Sequence, residues 1–273
     1  EIRQNKVLKG FAFLILALGI VYLAGTLLSS PIVNAKKFQQ LMKVEEGEFT
    51  EDIEELSFDQ IPILDRDTAA ILGDRKMGSM VDMVSQFDVD DIYSQINYQD
   101  RPYRVTPLKY ASIIKWFTNR SEGIPAYIRI NMADQTTELV QLEEGIRYTT
   151  SEHLNRDIYR HLRFAHPTYI YGELSFEIDE EGVPYWIAPV KKFNIGLFGG
   201  ETVGKVVICN AVNGEMKTYD IEDVPQWVDR VYSADLLVQL FDYYGTLKHG
   251  FWNSVLSQKD CLKTTEGYNY LAL

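Results

Sequence analysis

A stretch without one charged side chain, Gly10 to Ala35 (GFAFLILALGIVYLAGTLLSSPIVNA), sets the terms for the rest of the chain. Crossing ~30 Å of hydrocarbon takes about 20 apolar residues at ~1.5 Å rise each, and Gly10 to Leu28 meets that length. No polar face recurs at helical spacing between Lys9 and Lys36, so a helix buried in a water-soluble core fits poorly. Arg3, Lys6 and Lys9 ahead of the run and Val33-Asn34-Ala35 behind it also have the layout of a cleavable secretion signal. The apolar core exceeds the ~7 to 15 residues of such signals, and a retained transmembrane anchor over residues 1–35 is the expectation.

The basic leader favours a single pass through the cell membrane with the N terminus inside and the folded part extracytoplasmic. Lys36, Lys37 and Lys43 on the other flank pull the opposite way. Gly10, Ala17 and Ala24 recur every seven positions, and a small-residue stripe lets a second helix approach closely. The expected partners are the lipid bilayer and another transmembrane protein or a second copy of the chain. Glycine and alanine are also simply frequent in membrane helices, which is the bland account of the stripe.

With the anchor set aside, enough chain remains for a sizeable core. A net charge of -12 argues against nucleic acid as a partner, which calls for clustered Lys and Arg. Cys209 and Cys261 are the only cysteines; they suit one bridge outside the cytoplasm or, more simply, two small apolar residues. The start at Glu1 and the end at Leu273 inside a strand-like stretch suggest a longer natural chain.

Residues 36–60 read as a juxtamembrane stalk: Phe38, Leu41 and Met42 continue a helical pattern, then carboxylates crowd Glu45 to Glu55 without the spacing or central glycine of a calcium loop. A first α+β unit is expected over 61–165. Met77, Met80, Val81 and Val84 fall on one helix face; YSQINY and PYRVT flank a turn at Gln99-Asp100-Arg101; Thr106 and Pro107 look like the start of a helix carrying Tyr110, Ile113, Ile114 and Phe117. Thr149 and Glu152 have capping-box spacing ahead of Leu154, Ile158 and Leu162. In a second unit, 166–273, Ser233 precedes a helix through Leu237, Leu240, Phe241 and Tyr244 that Gly245 would stop.

One phrase recurs, as Glu122-Gly123-Ile124-Pro125-Ala126-Tyr127-Ile128, as Glu181-Gly182-Val183-Pro184-Tyr185-Trp186-Ile187, and as Glu266-Gly267-Tyr268-Asn269-Tyr270-Leu271. Each sets a turn before an aromatic, β-branched strand, and Asp134-Gln135 and Asn213-Gly214 mark turns further on. The fold expected is α+β, an N-terminal transmembrane helix followed by antiparallel β-hairpin and helix repeats.

Signs of chemistry are sparse. Gly199 to Val206 approaches the phosphate-binding G-x-x-x-x-G-K, but Val206 stands where a Ser or Thr must hold magnesium, and a hairpin pattern follows instead of a helix. His153, His161 and His166 lack the i, i+4 spacing of metal-binding histidines, and no G-x-S-x-G or H-E-x-x-H occurs. No catalytic, cofactor or metal residue is assigned. Tyr185, Trp186, Trp227 and Trp252 are the candidate ligand or partner surface.

The phrase from Glu181 to Val190, with Phe198-Gly199-Gly200 and Val207 to Glu215, resembles the hairpin and helix modules of PepSY-type extracytoplasmic domains. It also resembles membrane-anchored proteins of Gram-positive bacteria. That resemblance implies inhibitory or interaction roles outside the membrane and carries over no catalytic residue. The expected function is that of a membrane-anchored scaffold or interaction subunit. The alternatives are an envelope hydrolase, using Asp65, Asp67, Asp74, His153 and His161, or a ligand sensor with an aromatic groove.

Overall fold

The computed structural model describes residues 2–45, 47, 48, 51 and 57–265. The phrase at Glu266 to Leu271 and most of the acidic run between Glu45 and Glu55 lie outside them. The architecture is mixed α+β, with one N-terminal apolar helix and two antiparallel sheets. Two compact units cut across chain order: the first holds 2–45, 47, Lys192–Thr202 and 234–265, the second 48, 51, 57–191 and 203–233.

In the first unit, α1 (Ile2–Leu28) is followed at a Ser29-Ser30 break by α2 (Pro31–Gln39), whose proline occupies the first turn, where its missing N–H costs nothing. Phe38 of α2 is buried with Ile195 and Leu247, and its ring meets Tyr243 edge-on at 5.0 Å. Tyr243 belongs to α6 (Ala234–Thr246). Gly245 does not stop that helix. It lies within it and is buried, because the chain at Leu262 crosses there: the Leu262 N–H donates to the Gly245 carbonyl at 3.1 Å, and a Cβ would collide with Leu262.

In the second unit, β1 (Phe87–Val89) and β2 (Ser94–Tyr98) pair end to end along β3 (Arg101–Tyr110), which pairs in turn with β4 (Ile124–Asn131), and β4 with β5 (Thr137–Ile146). The second sheet runs β6 (Ser175–Ile178), β7 (Pro184–Ile195), β8 (Gly199–Asn210), β9 (Met216–Asp220), and the end of β7 with the start of β8, Lys192–Thr202, is counted in the first unit. α3 (Arg66–Gly78), α4 (Ile113–Asn119) and α5 (Ile158–Ala165) complete it. Tyr127, Ile128, Phe176, Trp186, Ile158 and Leu162 are fully buried in one core, with Tyr127 to Phe176 at 6.0 Å and Phe176 to Trp186 at 5.3 Å between ring centres.

Several helix signals resolve differently. Thr106 and Pro107 do not open a helix; they pair with Ile128 and Tyr127 in the middle of β3. A proline survives there because its nitrogen faces the gap where the neighbour of β3 changes from β2 to β1 and where the Pro107 carbonyl accepts the Asp90 N–H at 3.0 Å. The helix begins later, with Ser112 accepting the Lys115 N–H, and Ile113, Ile114 and Phe117 stay exposed. α3 ends at Gly78, so of the methionine stripe only Met77 is buried within a helix, and Val81 is 81% exposed. Glu152 is no capping-box partner: its buried carboxylate accepts Tyr110 Oη at 3.1 Å and Trp116 Nε1 at 2.6 Å, while Asp157 caps α5 through the Arg160 N–H.

The hairpin signals hold. Gln99 and Asp100, at φ 52° and 60°, form the two-residue loop of the β2–β3 hairpin. Asn131 to Thr136 and Asn210 to Glu215 close β4–β5 and β8–β9 with the same bonds: the leading Asn takes two backbone N–H groups on its side chain, the residue three further on takes one more, and the fifth position has positive φ.

Candidate membrane-proximal site

α1 from Lys6 to Leu28 is long and apolar enough to cross a bilayer, with a mean hydropathy of 2.5 in its most apolar stretch. A Cβ added at Gly10 or Gly19 would meet nothing within 4 Å. Of the small-residue stripe, Gly10 and Ala24 are exposed and Ala17 is half-exposed.

Contact begins at the C-terminal end. A Cβ on Gly25 would stand 3.2 Å from Leu197 Cδ1 and 3.3 Å from Phe198 Cε2, and the Tyr22 and Phe198 rings are 5.7 Å apart. These two side chains sit at the turn joining β7 to β8, in the same unit as α1. Ser29, just past the helix end and only 4% exposed, accepts the Leu197 N–H at 2.9 Å and the Phe198 N–H at 3.3 Å on one hydroxyl oxygen. Gly196 turns the chain at φ 61°, and a Cβ on Gly199 would collide with the Ser29 carbonyl. Leu197 and Phe198 remain 62% and 49% exposed, although turn tips are ordinarily polar. Ser29, Gly25 and Leu197 carry no sequence signal of their own, and Phe198 entered only through the PepSY-type resemblance; the apolar pair set between Gly196 and Gly199-Gly200 was the available sign.

The aromatic candidates separate. Trp186 is fully buried, its Nε1–H donating to the Tyr148 carbonyl at 2.8 Å, which makes it core. Tyr185 and Trp227 form a half-buried ring pair at 4.9 Å in the same unit. Trp252 is 64% exposed and belongs to the other unit.

The candidate catalytic residues are engaged apart from one another. Asp65 caps α3 through the N–H and hydroxyl of Thr68, which hold its carboxyl below the usual range. Asp67 and Asp74 are exposed on α3. His153 meets the Trp116 ring edge-on at 4.6 Å; His161 lies against Tyr148 with Nε2 2.9 Å from the Gly214 carbonyl. His166 stacks on Tyr169. Among the described residues no hydrogen bond or ion pair joins the side chains of any two of these groups, and no three His, Cys, Asp or Glu side chains are placed to hold a metal. Gly199 to Val206 runs along β8 rather than around a phosphate. Both thiols are free, and burial pushes that of Cys209 up to about 12.

A carboxyl group raised toward neutrality is structural in geometry. Glu177 on β6 is wholly buried and, among the described residues, pairs with no cation; it accepts Ser175 Oγ at 2.7 Å and the N–H groups of Asp229 and Arg230 at 2.9 and 3.1 Å. Desolvation outweighs those bonds and lifts its carboxyl to about 7.

Comparison of the chain with family models, curated proteins and solved structures returns no match.

Proposed function

We propose that α1 spans the cell membrane once and that the chain serves as a scaffold or interaction subunit of a membrane complex, its α+β region extracytoplasmic. The observation that carries the reading is the bare face of α1: a helix of bilayer length, with none of its most apolar stretch buried inside the chain, is stable only in lipid or against another helix. Gly10, Ala17 and Ala24 are where such a helix would approach. The separate engagement of the candidate catalytic groups supports an interaction role over a hydrolase. The dispersal of the four aromatic candidates weakens the sensor reading.

Cysteine crosslinking in native membranes tests the proposal. Ala17→Cys and Ala24→Cys should give a discrete crosslinked product, absent for Ile15→Cys on the opposite face. A lone monomer from every position, under gentle extraction and crosslinking alike, would contradict the scaffold role.

A further inference from the structure

We infer that the β7–β8 turn is a second membrane foot, with Leu197 and Phe198 immersed in the outer hydrocarbon of the bilayer beside the end of α1. The inference rests on the reading of α1 as a span. Counting about 20 residues of hydrocarbon from Gly10, the first position past Lys9, brings the apolar layer to an end near Ser29. At ~1.5 Å per residue, Gly25 then lies about 6 Å inside that boundary and Tyr22 about 10 Å. Leu197 and Phe198 touch these two residues from the side, so their side chains share that depth.

Two features suit a lipid environment. A loop in hydrocarbon must satisfy its backbone donors within the protein, and the N–H groups of Leu197 and Phe198 both go to Ser29 Oγ. A solvent-facing hairpin tip has no use for two large exposed apolar side chains, whereas burying them in lipid gains about 25 cal/mol for each Å² of apolar area. Lys36, Lys37 and Lys192 of the same unit are exposed cations suited to the headgroup layer. The foot would fix the rotation of α1 about its own axis, because only the face bearing Gly25 receives the turn.

The test uses the full chain in phosphatidylcholine vesicles with Cys261→Ser, leaving the buried Cys209 in place, and an environment-sensitive fluorophore on Leu197→Cys. Reference labels sit at Leu14→Cys in the opposite half of the span and at Glu222→Cys on the exposed surface. The Leu197 label should emit to the blue of the Glu222 label and be quenched by lipids brominated near the headgroup end of the acyl chain. Phe198→Cys should repeat the result. A Leu197 label with water-like emission, open to iodide, while the Leu14 label stays blue-shifted overturns the foot and leaves the span standing. Water-like emission from Leu14 as well overturns both.

Discussion

The Asp229 backbone N–H donates at 2.9 Å to Oε2 of Glu177, a carboxylate with no exposed surface, so the loop before α6 is tied to β6 by a group that titrates near neutrality. Asp229 itself, lifted to about 6 chiefly by desolvation, accepts the Asn97 N–H at 2.8 Å and links the same loop to β2. These two ties of the loop before α6 thus rest on carboxylates whose neutral form burial favours.

A pH dependence follows. An acid whose folded value stands above its unfolded value binds more protons when folded, so its contribution is full below the unfolded value near 4.5 and is lost as pH rises through about 7. For Glu177 the difference amounts to about 3 kcal/mol. Asp229 has the same sign, discounted because the residue keeps a solvent-facing surface. Thermal unfolding of the detergent-solubilised chain should show the second unit losing several degrees between pH 5 and pH 8, and Glu177→Gln should flatten that slope.

The paired turns predict opposite responses at matching positions. Gly214, at φ 78°, has no room for a Cβ beside the Tyr148 ring, so Gly214→Ala should cost about 2 to 4 kcal/mol. Gln135 holds the same place at φ 65°, and Gln135→Gly should change stability by less than about 1 kcal/mol. Denaturant midpoints of the two variants check both.

Burial separates the tryptophans. Trp186→Ala removes a fully buried ring and leaves the Tyr148 carbonyl without its donor, for a cost of about 3 to 5 kcal/mol. Trp252→Ala should stay within about 0.5 kcal/mol. Equal losses in chemical denaturation would put Trp252 in a core it does not occupy here.

Ser29→Ala deprives two backbone N–H groups of their acceptor, an effect of about 1 to 3 kcal/mol on the β7–β8 turn. Hydrogen exchange at the Leu197 amide should quicken about tenfold or more, with exchange in β4 unchanged.

Much of this was legible where the signal is local. Gln99-Asp100 and Asn213-Gly214 announce their turns because left-handed backbone restricts which residues sit there. Thr106-Pro107 misled, since the proline is tolerated by a change of neighbour that no local pattern records. Glu152 had the spacing of a cap but was claimed by Tyr110 and Trp116. The turn at Leu197 is held by a serine 168 residues earlier, so neither segment alone discloses it. The apolar helix was plain from composition; what packs on its end was not.

Alkaline carbonate extraction of native membranes, with the mass of the chain's first tryptic peptides read from the retained fraction, bears most directly on the central claim. The account predicts that the chain stays in the membrane pellet with residues 10–35 intact. Recovery in the supernatant, beginning after Ala35, would contradict it.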